Sequence, residues 1–184
     1  CSTFREVQMM YPKITAIRNI VSLLDSRFPM SLPCDPQFLV SSLGGGCVSL
    51  TAREAAETGY PPEFEAKAVK PVQPYTFRIE YAGWKPEESI RFAIAQELGF
   101  LLLYSLQPDG VISSHNNGRP RTSEEVFYAN EFAAELLMPV SGFISACRDN
   151  AEENKGRIDV DAIASEFGVT KPAALVRGGR LGIW

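Results

Sequence analysis

The chain has 184 residues, 18 Lys plus Arg against 22 Asp plus Glu, and a net charge of −4. Hydrophobic residues at 45% and charged residues at 22% exclude wholesale disorder, and the length suits one domain, or one domain with a small appendage, that folds without a disulfide or metal staple. The acidic balance excludes a general electrostatic nucleic-acid binder and leaves room only for a local basic patch.

Residues 14–28 place Ile14, Ile17, Ile20, Val21 and Leu24 at helical spacing, which predicts an amphipathic helix. Three prolines in PMSLPCDP (29–36) break it. The signal from 37 to 50 is mixed. Gly44, Gly45 and Gly46 are followed by no Gly-Lys-Ser/Thr, so they read as a turn rather than a phosphate loop. A Thr51 cap with Glu54 three residues on predicts a short helix over 51–59, ended by Pro61-Pro62. YTFRIEYA (75–82) alternates strictly and reads as a strand, with AKAV (66–69) as its hairpin partner.

The strongest helix covers 86–104. Pro86 suits its first turn, Glu87 and Glu88 complement the dipole, and its body is apolar nearly all round, as in a buried central helix. Residues 105–122 are polar and read as a loop. Thr122 and Glu125 form a capping box that opens a second apolar helix to about Met138, with Pro139 beyond. The tail gives two further helices around a turn at Thr170-Lys171-Pro172.

Glu97 stands out on the central helix. It shares a stripe with Ile90, Ala93, Ile94 and Leu101, and a buried carboxylate costs several kcal/mol unless it is paired or protonated. A polar network and a chemical role both account for it.

RFAIAQELGFLLLY (91–104), followed about thirty residues later by YANEFAAELLMP (128–139), resembles the ImmA/IrrE family of metallopeptidases. The family form is R-F-x-x-A-H-E-x-G-H on one helix and E-A-N-x-F-A-A-x-L-L-M-P on the next. Ala129, Asn130, Phe132, Ala133, Ala134, Leu136, Leu137, Met138 and Pro139 all match. The likeness runs from the strand before the first helix to the tail, about residues 66–184. It implies an α+β, zincin-like fold: a small antiparallel sheet on a helical core, with C-terminal helix-turn-helix-like helices at 155–184. Residues 1–65 would then be a helical or irregular segment packed on the 66–184 domain in one compact unit.

In the family two histidines one turn apart grip zinc, a glutamate beside the first acts as general base, and the next helix supplies a third ligand. Here the ligand positions hold Gln96, Phe100 and Tyr128, and only the base position, Glu97, is kept. Gln is a poor zinc ligand, Phe is none, and a neutral Tyr is a weak one. The resemblance therefore implies a pseudoenzyme whose pocket is filled, with Glu97 a vestigial base and zinc absent.

His115 is the chain's single histidine and lies in the polar loop, where it reads as a solvated residue. The cysteines at 1, 34, 47 and 147 form no Cys-x-x-Cys pair. Cys34 and Cys47 read as structural thiols rather than ligands. Widely spaced thiols, no apolar run of 18 residues and no visible signal peptide point to a cytoplasmic protein away from membranes, with Cys1 read as a trimmed end rather than a lipidated first residue.

The tail also has a helix-turn-helix outline. From 155 to 184, Lys155, Arg157, Lys171, Arg177 and Arg180 face Asp159, Asp161 and Glu166, five positive charges against three negative. Lys171, Arg177 and Arg180 are the candidate DNA or partner contacts, a thin footprint with no Asn or Gln to read adenine. Three readings follow. The first is an inactive metallopeptidase-fold regulator that binds a protein, such as a helix-turn-helix repressor or a toxin–antitoxin or phage regulatory protein. The second is an active endopeptidase with a non-standard metal site. The third is a DNA-binding regulator acting through the tail.

Overall fold

A computed structural model of the chain describes residues 12–69, 73–105, 121–151 and 158–184. Among them are eight α-helices and three strands. Helix α1 is Pro12–Arg27, α2 is Pro36–Ser42, β1 is Gly46–Leu50 and α3 is Ala52–Thr58. Strands β2 (Ala66–Val69) and β3 (Arg78–Ala82) precede α4 (Glu87–Phe100), which continues into a π-helical turn at Leu101–Ser105. Then come α5 (Ser123–Leu137), α6 (Val140–Asp149), α7 (Val160–Phe167) and α8 (Lys171–Arg180). No helix among the described residues is long and apolar enough to cross a membrane.

Local chemistry sets most boundaries. The Asp35 carboxylate accepts the Gln37 N–H at 2.9 Å and caps α2, with Pro36 in the first turn. Both reciprocal bonds of the Thr51/Glu54 box open α3. Gly59, at φ +85°, closes α3 before the two prolines are reached, so the stop is a left-handed cap and not Pro61-Pro62. The Thr122/Glu125 box opens α5 as expected. Pro139 ends α5 and at once caps α6.

The chain divides into two units, one of residues up to Cys34 with Ala134–Trp184, the other of Asp35–Ala133. The expected boundary at residue 65 falls inside the second unit. That unit holds the sheet, ordered β1-β3-β2. Strand β2 pairs antiparallel with β3, with Ala68 opposite Ile79, as the hairpin reading requires. Strand β1 pairs parallel with β3, with Cys47 opposite Ile79. The sheet is therefore mixed, not purely antiparallel. The chain leaves β1 through α3 and β2 before it returns as β3, and such a crossover allows parallel pairing. The expected strand over 75–82 begins only at Arg78.

Helix α4 packs against α2, β2 and β3. Leu39, Ile79, Ile94, Leu98 and Phe132 are fully buried in this unit. In the other unit Phe143 and Phe167 meet with ring centroids 5.8 Å apart. There Ile17, Leu136, Leu137, Met138 and Ile163 are also fully buried. Helices α7 and α8 have the expected helix-turn-helix outline: Gly168 turns the chain at φ +58°, and Thr170 caps α8 through the Ala173 N–H.

Candidate functional site

The site forms where α4 meets α5. A Cβ built on Gly99 would lie 2.7 Å from the Phe132 ring, so the bare backbone at 99 lets the helices approach closely. One turn on α4 separates Gln96 from Phe100, which puts both on one face. Gln96 Nε2 donates to Asn130 Oδ1 of α5 at 2.8 Å. Phe100 and Tyr128 are both buried. Tyr128 stands edge-on to Phe127, with ring centroids 5.1 Å apart, and is not turned to solvent.

Glu97 is 4% exposed. A carboxylate at that depth needs strong partners, and it has two. Arg121 grips it with both amino groups, Nη1 to Oε1 at 2.5 Å and Nη2 to Oε2 at 2.6 Å, the planar fork geometry in which guanidinium and carboxylate match best. The Ala68 N–H donates to Oε2 at 2.7 Å. Glu65 C=O accepts from Ala82 N–H across the ladder, so by alternation Ala68 points its N–H off the open edge of β2. The Arg121 guanidinium carbon lies 3.8 Å from the centre of the Phe100 ring, a cation–π contact. One arginine thus covers the base position and the ring at the second ligand position together.

The donor set does not fit zinc. The amide of Gln96 is bonded to Asn130, and Phe100 offers only a ring. Among the described residues no three His, Cys, Asp or Glu side chains cluster closely enough to hold a metal ion. Glu125, close to Tyr128 on α5, accepts the Thr122 N–H at 2.8 Å within its capping box. Cys34 is buried, with its thiol 3.5 Å from the Met30 sulfur. Burial, helped by the negative charge of Asp35, pushes the Cys47 thiol up to about 11, and burial also raises Cys147. Raised thiols are weak nucleophiles and reluctant ligands. His115, Lys155 and Arg157 lie outside the described residues.

A second polar cluster, not singled out by sequence, lies in the same unit. The Tyr60 hydroxyl donates to Glu80 Oε2 at 2.7 Å, and Arg78 pairs with the other oxygen. Burial first, then the bond to Glu80, holds the Tyr60 hydroxyl well above its ordinary value. The phenol therefore remains a donor to a buried carboxylate.

The tail's candidate contacts separate. Lys171 is exposed and pairs with Asp161 at 2.6 Å. Arg180 is exposed, and partial burial lowers its guanidinium from the ordinary value. Arg177 is corrected: it is 3% exposed and cannot reach a DNA phosphate or an outside partner. Its Nη2 donates to Glu135 at 2.6 Å and to Met138 C=O at 2.9 Å, and its Nε also reaches that carbonyl. Burial lowers Arg177, and the Glu135 charge opposes that shift. A signal existed, since Arg177 shares a helical stripe with the buried Ala174 and Gly178. Arg121 was missed because it sits in no periodic segment. Its only local sign is its place just before the Thr122 cap.

A search of curated proteins finds no match. The family model Peptidase_M78, the IrrE N-terminal-like domain, matches residues 62–177.

Proposed function

The chain belongs to the IrrE N-terminal-like domain family of peptidases, and from that premise we propose that it is a metallopeptidase-fold regulator that binds a protein partner without cutting it. The observation that carries this reading is the engagement of Glu97. A general base must hold an oxygen open toward the water or group it deprotonates. Both Glu97 oxygens instead accept bonds from the protein itself, from Arg121 and from Ala68 N–H. The three positions where the family places its ligands hold an amide, a ring and a phenol. An endopeptidase with a non-standard metal site would need donors this pocket does not offer. The DNA-binding reading loses Arg177 and rests on Lys171 and Arg180, of which Lys171 already faces Asp161.

The partner class we propose is a cytoplasmic helix-turn-helix repressor or a toxin–antitoxin or phage regulatory protein. The test is affinity capture from the native host, followed by incubation of the captured complex with and without added zinc. The partner should stay bound at its intact mass in both arms. Time-dependent fragments of the partner, absent when Glu97→Gln is used as bait, would show an active peptidase and overturn the proposal.

A further inference from the structure

We propose that Arg121 is a built-in cation that takes the charge position of the metal in this pocket, clamping Glu97 and shutting out a divalent ion. This rests on the reading of the pocket as non-cleaving. That reading fails on partner fragments, whereas this one fails on melting temperature and zinc affinity.

Three observations converge on Arg121. Its fork meets both oxygens of a carboxylate too buried to stand alone. Its guanidinium carbon lies over Phe100, the ring at the second ligand position, 3.8 Å from the ring centre. Its backbone is fixed by the Thr122/Glu125 box that begins at the next residue. One side chain therefore ties the start of α5 to α4 and, through Glu97 and Ala68 N–H, to the open edge of β2. Joining elements around one buried carboxylate is also what a metal ion does through its ligands.

The charge has a further consequence. A dication approaching Glu97 meets a fixed guanidinium already paired with it, and like charges in a poorly solvated site repel strongly. Restoring ligands at 96, 100 and 128 is then not enough. Arg121 must leave as well.

Two measurements on the full chain test this. The first is a thermal-melt cycle of Arg121→Met, Glu97→Gln and the double variant. Arg121→Met strands a buried carboxylate and should lower Tm by about 5–10 °C. The double variant should regain most of that loss, because a neutral amide still accepts the Ala68 N–H and needs no cation. The second is calorimetric titration of zinc chloride into Gln96→His/Phe100→His/Tyr128→Glu, with and without Arg121→Met. Removing Arg121 should tighten zinc binding about tenfold or more, equivalent to about 1.4 kcal/mol. A merely structural arginine would leave zinc affinity unchanged or weaken it. Equal affinity in the two backgrounds, including no binding in either, overturns the proposal, and so does a melt cycle without coupling between Arg121 and Glu97.

Discussion

Arg177 reaches from α8 to the main-chain carbonyl of Met138, thirty-nine residues earlier in the chain. That carbonyl lies just past the C-terminal end of α5, where backbone acceptors lack helical partners. A buried guanidinium thus closes the helix end while neutralising Glu135.

Arg177→Met should therefore be severely destabilising. It removes the cation from Glu135 and the donor from Met138 C=O together, while Arg18, 3.5 Å from the Glu135 carboxylate, compensates in part. Breaking one partner of a buried pair costs about 3 kcal/mol or more, a drop in Tm of about 6–12 °C. Thermal denaturation followed by circular dichroism measures it. A variant that melts with the parent would mean that the Arg177 pair contributes nothing.

The purified protein should carry no stoichiometric zinc, nickel or iron. Gln96, Phe100 and Tyr128 supply no imidazole or carboxylate, and Arg121 puts a positive charge against Glu97. Elemental analysis should give well under one metal per chain, and chelator should leave Tm unmoved. About one tightly held ion per chain contradicts the pocket described above.

Cys47 should react slowly. With its thiol pushed up to about 11, its thiolate fraction at pH 8 is about a hundredfold or more below that of an ordinary solvent-exposed cysteine. Iodoacetamide labelling at pH 8, resolved by peptide mass spectrometry, reads this directly. The native state holds this proton more tightly than the unfolded chain, so stability falls as pH rises from about 9 to 11 and is indifferent to this thiol at neutral pH.

The link between Gln96 and Asn130 is neutral and half-buried, so Gln96→Ala should cost about 1 kcal/mol. Asn130→Ala should cost a similar amount, and the double variant less than the sum, since each single change already breaks the bond. Strict additivity in chemical denaturation would show that the two amides do not interact in solution.

What the sequence made legible was local. Capping boxes at Thr51/Glu54 and Thr122/Glu125 involve residues three apart, and both form. The apolar body of α4 announces its own burial, and the alternation around Ile79 its strand. What stayed hidden depends on partners distant in the chain. The parallel pairing of β1 with β3 joins Cys47 to Ile79 across a crossover, and nothing within GCVSL specifies it. In the sequence Pro139 reads as the stop of α5, although its fixed φ also suits the start of α6 that it forms. At the site, the residue types at 96, 97, 100 and 128 could be read, and the burial of Glu97, Phe100 and Tyr128 agrees with the apolar helices that carry them. The cationic partner of Glu97 lies twenty-four residues away, in a segment without periodicity, and only the fold brings it in.

Gly99 acts as a gauge for the pocket. With a methyl group 2.7 Å from the Phe132 ring excluded, the width of the cleft between α4 and α5 is set by a hydrogen atom rather than by the side chains that line it. Exchanges at 96, 100 and 128, toward histidine or away from it, leave that contact itself untouched. A bulkier residue at 99 would instead wedge the helices apart and carry Gln96 beyond reach of Asn130, even though neither amide had been touched.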